Sequence, residues 1–259
     1  MVANLVFKNG FFQTKSRSFN SSILRKALSV FIEKDAGYKS KFLQKEYGYG
    51  FDGYSYLGQE DSSNQYASDR LHSFVISDFT EPENFPIEFK NFFDKEWHEL
   101  QLKIKDLELE MIQKMEVPNL REFYEKHIGH MISCNFYPPV NLQDEEGRNN
   151  VRLSAHKDVS LFTIFPFGFD SDFYFENATG NWVNIPATDD IVIFPGFLME
   201  FFTKGKVKAL NHKVAMPKIN KGERFSFAYF SLPYPNHKFK IDDKEVTSEG
   251  YFKTYLDLF

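Results

Sequence analysis

A chain of 259 residues with 42% hydrophobic and 26% charged residues is long enough to bury a sizeable core and has the balance of an ordinary folded domain. Its net charge of −5 leaves no basic excess for nucleic-acid phosphates. A lone cysteine, Cys134, excludes an internal disulfide. The N-terminus lacks a basic stretch followed by an apolar one, so no signal peptide is expected. The longest mostly apolar run, Ile191 to Phe202, is interrupted by Pro195 and Gly196 and is too short to span a bilayer. These features predict a soluble cytoplasmic protein with neither a membrane nor a nucleic-acid partner. The 31 phenylalanines predict a core filled largely with rings.

In chain order, Asn4 to Thr14 reads as a short opening strand. Ser21 or Ser22 can cap a helix in which Ile23, Leu24, Ala27, Leu28, Phe31 and Ile32 recur at helical spacing, with Gly37 closing it. From Tyr47 to Ser68 the chain is rich in Gly, Tyr, Ser and Asp, a long loop whose Tyr49, Tyr54 and Tyr56 could wall a pocket or simply pack. Leu71 to Ile76 alternates as a strand. Phe89, Phe93, Trp97, Leu100, Ile104, Leu107, Met111 and Met115 then step by three and four, predicting one long amphipathic support helix. Leu120 to His127 reads as a shorter helix.

Near residue 130 the pattern changes to short apolar runs separated by turn signals, which predicts a sandwich or barrel rather than a parallel sheet. No repeat or linker divides the chain. The expected plan is one mixed α and β unit: a helical and loop region over 1–130, a β-core over 131–235, and a C-terminal extension over 236–259.

Within the β-core, His156 and Asp158 stand two apart in the run Leu153 to Phe165. If that run is one strand, both side chains share a face and can grip one ion. His212 lies in a second strand-like run. Two imidazoles and one carboxylate on one face of an octahedral ion leave positions open, a set suited to Fe(II), with zinc as the rival metal. Downstream, Arg224 and Ser226 share a face of another apolar strand. A buried guanidinium needs an anion, either an internal carboxylate or that of a ligand.

Taken together, His156-x-Asp158, His212 and Arg224-x-Ser226 resemble the 2-oxoglutarate- and Fe(II)-dependent oxygenases, and more narrowly the isopenicillin N synthase-like branch. Asn135-Phe-Tyr137-Pro138-Pro139, Trp182-Val-Asn-Ile-Pro186, Phe194-Pro-Gly196 and Asn9-Gly-Phe-Phe12 are similar to further segments of that family. The resemblance implies a double-stranded β-helix (jelly-roll) core flanked by N-terminal helices. It implies Fe(II) on His156, Asp158 and His212, with 2-oxoglutarate and O2 as cosubstrates. Arg224 and Ser226 would hold the distal carboxylate of 2-oxoglutarate, with contacts from Tyr137 and Asn135. The chemistry implied is oxidation of an unactivated C–H bond of a small molecule by hydroxylation, desaturation or ring closure, with succinate and CO2 as coproducts. Asp158 stands where related halogenases carry a small residue, so halogenation is not expected. The alternatives are an Fe(II)/O2 oxidase of the same fold that uses no 2-oxoglutarate, and a non-catalytic ligand-binding β-helix. Arg70, Arg152 and Lys157 are candidate contacts for a carboxylate-bearing or amino acid-like substrate.

Overall fold

The structure is a computed structural model that describes residues 7, 9–15, 19–44, 51–59, 69–141, 151–241 and 244–258. Two antiparallel sheets face one another. The larger has seven strands in the order β1 (Phe12–Thr14), β9 (Ile191–Pro195), β6 (Phe162–Phe165), β11 (Arg224–Pro233), β4 (Ile128–Tyr137), β3 (His72–Ser77) and β2 (Gly53–Ser55). The smaller has four, in the order β5 (Val151–Lys157), β10 (Asn211–Ala215), β7 (Phe173–Glu176) and β8 (Trp182–Ile185). This is the expected jelly roll. Strands from the N-terminal part, β1 to β3, complete the larger sheet instead of lying apart from it.

Period-two alternation on β11 explains the two-layered core. Phe225, Phe227 and Tyr229 face the helices, and Ser226, Ala228 and Phe230 face the opposite sheet. Two helices cover the outer face of the large sheet. In α1 (Ser22–Ile32), Leu24, Leu28 and Phe31 are fully buried, and Phe31 meets Phe74 of β3 edge-on at 4.9 Å. The α1 N-terminus is held not by a serine side chain but by Asn20, whose Oδ1 accepts from Ser22 N at 2.8 Å. In α2 (His98–Met115), Leu100, Ile104, Leu107, Met111 and Met115 form the buried stripe. The single helix expected from Phe89 onward is instead broken by a π-helical turn, Phe93–Trp97, before α2 begins. Phe93 is carried off the buried stripe there and stacks on Phe85 at 5.1 Å. Helix α3 spans Leu120–His127 as expected, and Gly37 falls in a separate short helix, Ala36–Lys39.

Two further elements matter for the site. Helix α4 (Phe197–Phe202) links β9 toward β10. Beyond β11, a hairpin of β12 (Lys238–Ile241) and β13 (Lys244–Thr247) leads into α5 (Ser248–Leu256), which returns to the mouth between the sheets. Among the described residues no helix is long and apolar enough to cross a membrane.

Candidate metal centre and its surroundings

The Leu153 to Phe165 run is not one strand. It ends as β5 at Lys157 and resumes as β6 in the other sheet, so Asp158 sits in the crossing between sheets. The pairing that brings the imidazoles together is across strands: His212 of β10 lies directly opposite His156 of β5. Their ring centroids are 4.5 Å apart. One donor atom from each of His156, Asp158 and His212 falls within 4.8 Å of the others, and all three residues are buried or nearly so. The three residues singled out by spacing do converge, but a sheet crossing and a cross-strand pair bring them together, not a shared strand face.

Each donor is aimed by a second contact. His156 Nδ1 lies 2.7 Å from the Ser154 carbonyl oxygen and His212 Nδ1 lies 3.3 Å from that of Leu210. A carbonyl can only accept, so both Nδ1 atoms donate and both Nε2 atoms are left to bind an ion. Asp158 Oδ2 accepts from Thr163 Oγ1 at 2.7 Å, and Thr163 is in turn bonded to Ser160 at 2.8 Å. The Asp158 carbonyl accepts from Phe197 N at 2.7 Å. This packing needs Gly196, where a Cβ would stand 2.2 Å from the Ser160 carbonyl oxygen. Stacking of Phe173 on the His212 ring at 5.2 Å completes the support.

The electrostatics are those of a site waiting for a cation. Burial pushes His212 down to about 4, with the Asp158 charge offsetting only part of the effect. Burial also works against the charged forms of Asp158 and His156, but their mutual attraction wins. Asp158 is held below the usual carboxylate range, helped by His212, and His156 is raised.

A cavity of about 350 Å³ opens from these donors. Tyr137, Asn135 and Ser226 line it, and the register of β4 and β11 pairs Arg224 with Tyr137 and Ser226 with Asn135. Arg224 is only 4% exposed, and its Nε and Nη1 have no hydrogen-bond partner among the described residues. The guanidinium lies over the Tyr137 ring, 4.6 Å from its centroid. The internal carboxylate partner that would have explained this arginine is not found among the described residues.

The other candidate contacts fare differently. Lys157 is held by Glu200 at 2.9 Å, which also binds Lys208 and accepts from Ala209 N. Arg70 and Arg152 border a separate pocket of about 40 Å³, and Arg152 donates to the Pro138 carbonyl. Tyr54 is buried with its hydroxyl on His72 at 2.8 Å, Tyr56 is exposed, and Tyr49 lies outside the described residues. Among the described residues of that loop, Phe51 lines the cavity instead. Sequence reasoning missed Thr163, a buried hydroxyl five residues after Asp158, and it missed α5 altogether. Tyr255 donates to the Lys157 carbonyl at 2.7 Å and Tyr251 to that of Val159, so two hydroxyls of α5 bracket Asp158.

A jelly roll with two imidazoles and a carboxylate converging at its mouth belongs to the class of mononuclear non-haem metal proteins. Residues 128–233 match the family model of the 2OG-Fe(II) oxygenase superfamily. A proline hydroxylase of Petromyces alliaceus, buaE, is 27% identical over 110 residues, which are 39% of this chain and 34% of that protein. The matched part thus spans about a third of that curated relative. Among solved structures, a putative 2OG-Fe(II) oxygenase family protein from Caulobacter crescentus superposes with a TM-score of 0.75 at 15% identity, covering 99% of this chain and 92% of that one. A full-length Neurospora crassa protein crystallised with alpha-KG superposes with a TM-score of 0.73 at 18% identity, covering 98% and 90%. At such identities these structures speak for the fold.

Proposed function

We propose that this chain is an Fe(II)- and 2-oxoglutarate-dependent oxygenase that oxidises an unactivated C–H bond of a small molecule by hydroxylation, desaturation or ring closure. The observation that carries this reading is a convergent His156–Asp158–His212 donor set on a cavity lined by Tyr137 and Ser226, with the buried Arg224 against the Tyr137 ring and its Nε and Nη1 without a partner among the described residues. The donor chemistry fits Fe(II), and Arg224 fits a planar carboxylate that the described residues do not supply. Bound iron with 2-oxoglutarate would supply the oxidising power, using O2 and yielding succinate and CO2.

The chain's own residues would do the rest. His156, Asp158 and His212 would fix the ion on one side only, leaving its other positions toward the cavity. Arg224 and Ser226 would take the distal carboxylate of the cosubstrate, with Asn135 and Tyr137 facing it across the strand pair. Tyr137 lies against Arg224 and lines the cavity. Phe165, Phe173 and Phe230 would keep water from the reacting centre. An oxidase that used no 2-oxoglutarate would leave the Arg224 charge buried without an anion, at a cost of several kcal/mol.

Anaerobic addition of Fe(II) and then 2-oxoglutarate should produce the weak visible charge-transfer band of the chelate. Arg224→Gln should weaken 2-oxoglutarate binding about 10- to 100-fold, the loss of a charge-assisted hydrogen bond of ~1.5–3 kcal/mol, without weakening Fe(II) binding. A protein that binds Fe(II) but gives no band, with or without Arg224, contradicts the proposal.

A further inference from the structure

The cavity wall changes character along the β4–β11 strand pair. The register sets Arg224 against Tyr137, then Ser226 against Asn135, Ala228 against Ser133, and Phe230 against Met131. The lining therefore runs from the Tyr137 and Ser226 hydroxyls and the Asn135 amide, with Arg224 behind them, to mostly apolar side chains. Val75, opposite Ser133 on β3, continues the apolar end. There α5 adds Phe252 and Leu256, and Phe252 meets Phe51 edge-on at 5.5 Å.

Three polar side chains interrupt this apolar end, and each is already engaged within the protein. Gln44 Nε2 donates to the Phe51 carbonyl at 2.6 Å, and its Oε1 accepts from Ser55 at 2.8 Å. Ser133 Oγ donates to Asn135 at 3.0 Å, and the Tyr255 hydroxyl donates to the Lys157 carbonyl at 2.7 Å. Among the described residues no lysine or arginine lines the cavity. Of the two lysines adjacent to the donors in sequence, Lys157 pairs with Glu200 and Lys213 lies over the Trp182 ring at 4.0 Å. Among the described residues that line the cavity, the only charged groups are those of the metal-donor cluster itself. A carboxylate or ammonium brought to the apolar end would lose hydration with nothing to replace it, which costs at least several kcal/mol. The volume of about 350 Å³ is near the lower end of ligand pockets, roughly 300–1,000 Å³, and part of it must take the cosubstrate.

We propose that the substrate of this site is a small, uncharged, largely apolar molecule, admitted past Phe51 and Phe252, and not an acid or an amino acid. This replaces the carboxylate-bearing substrate expected from Arg70, Arg152 and Lys157, and it rests on the oxygenase reading of the same cavity.

The test uses neutral and anionic molecules that share a ring: methyl benzoate with benzoate, and indole with indole-3-carboxylate. Each is titrated anaerobically into protein carrying Fe(II) and 2-oxoglutarate, following the charge-transfer band and the melting temperature. The neutral members should perturb the band and bind at least about tenfold tighter than their acids. Equal or tighter binding of the acids overturns the proposal, as does failure of both neutral members to bind at millimolar concentration. Phe252→Lys should shift preference toward the acids while the band itself persists, and an unchanged preference counts against the proposal. Absence of the band before any ligand is added would instead fault the oxygenase reading. The melting-temperature titration on metal-free protein would then still decide between neutral and acidic ligands.

Discussion

Two buried clusters in this molecule are built from the same residue types and do opposite things. One is His156, Asp158 and His212 at the cavity. The other is Glu108, Tyr124 and His130, where α2, α3 and β4 meet. In the first, the outer imidazole nitrogens are tied to backbone carbonyls, so the inner ones and the carboxylate converge on a shared volume. In the second, the groups bind one another directly: Glu108 Oε2 accepts from the Tyr124 hydroxyl at 2.6 Å and from His130 Nε2 at 2.9 Å, while Oε1 has no partner among the described residues. Glu108 is fully buried. A histidine beside a carboxylate is therefore not in itself a metal site. What matters is whether one ring nitrogen is held by the backbone, leaving the other beside further donors at the edge of an open volume.

The sharpest way to break this contrast is to remove one carboxylate from each cluster. Asp158→Ala should abolish succinate formation and Fe(II) binding, because it removes one of three donors. Retained turnover would refute the donor assignment. Glu108→Leu should do the reverse, leaving Fe(II) affinity intact but lowering stability by about 3 kcal/mol, since the Tyr124 hydroxyl and His130 lose their buried acceptor. For a chain of this size that is a drop of ~6–12 °C in Tm. Loss of Fe(II) binding in the folded Glu108 variant would show the two clusters to be coupled.

The contrast also explains what could be read from the sequence. The jelly-roll core, the three converging donors and the Arg224-x-Ser226 pair were legible because their spacing along strands is short or matches a family pattern. The Glu108 cluster was invisible, because Glu108 sits in an otherwise amphipathic helix and its partners are a helix and a strand away. The π-helical turn at Phe93–Trp97 hid for a related reason, since one extra residue shifts a helical stripe without erasing it. The role of α5 was the least legible of all. Tyr251 and Tyr255 reach back to carbonyls of Val159 and Lys157, and no local pattern announces a contact so distant in sequence.

Protonation sharpens the contrast at the cavity alone. With His212 held at about 4, that ring is neutral at pH 5.5, while the raised His156 carries its proton and Asp158 is already ionised. Cobalt(II) binding at pH 5.5 should therefore release close to one proton, measured by calorimetry in buffers of different ionisation enthalpy. Two unperturbed histidines near 6.5 would release nearly two. The sign for stability follows. Below 6.5 the unfolded chain gains a proton at His212 that the fold refuses down to about 4. The contribution of His212 to the stability of the metal-free protein is thus complete above 6.5 and lost as pH falls toward 4.

The smallest expected effect lies where α5 touches the donor segment. Tyr255 and Tyr251 are one helical turn apart, so both hydroxyls face the same stretch of chain and grip it on either side of Asp158. Neither touches the donor atoms, so each acts on the carboxylate only through the backbone that carries it. Tyr255→Phe removes one neutral hydrogen bond and keeps the ring, which costs about 1 kcal/mol. If that bond merely fastens the helix, the loss appears in Tm alone. If it fixes the position of Asp158, cobalt(II) affinity falls by a few fold, since ~1 kcal/mol corresponds to roughly a fivefold change. We expect the second outcome, with 2-oxoglutarate affinity unchanged because Arg224 and Ser226 lie on the opposite sheet. A Tyr255→Phe protein that melts earlier but binds cobalt(II) as tightly as the parent would reduce α5 to a wall of the cavity.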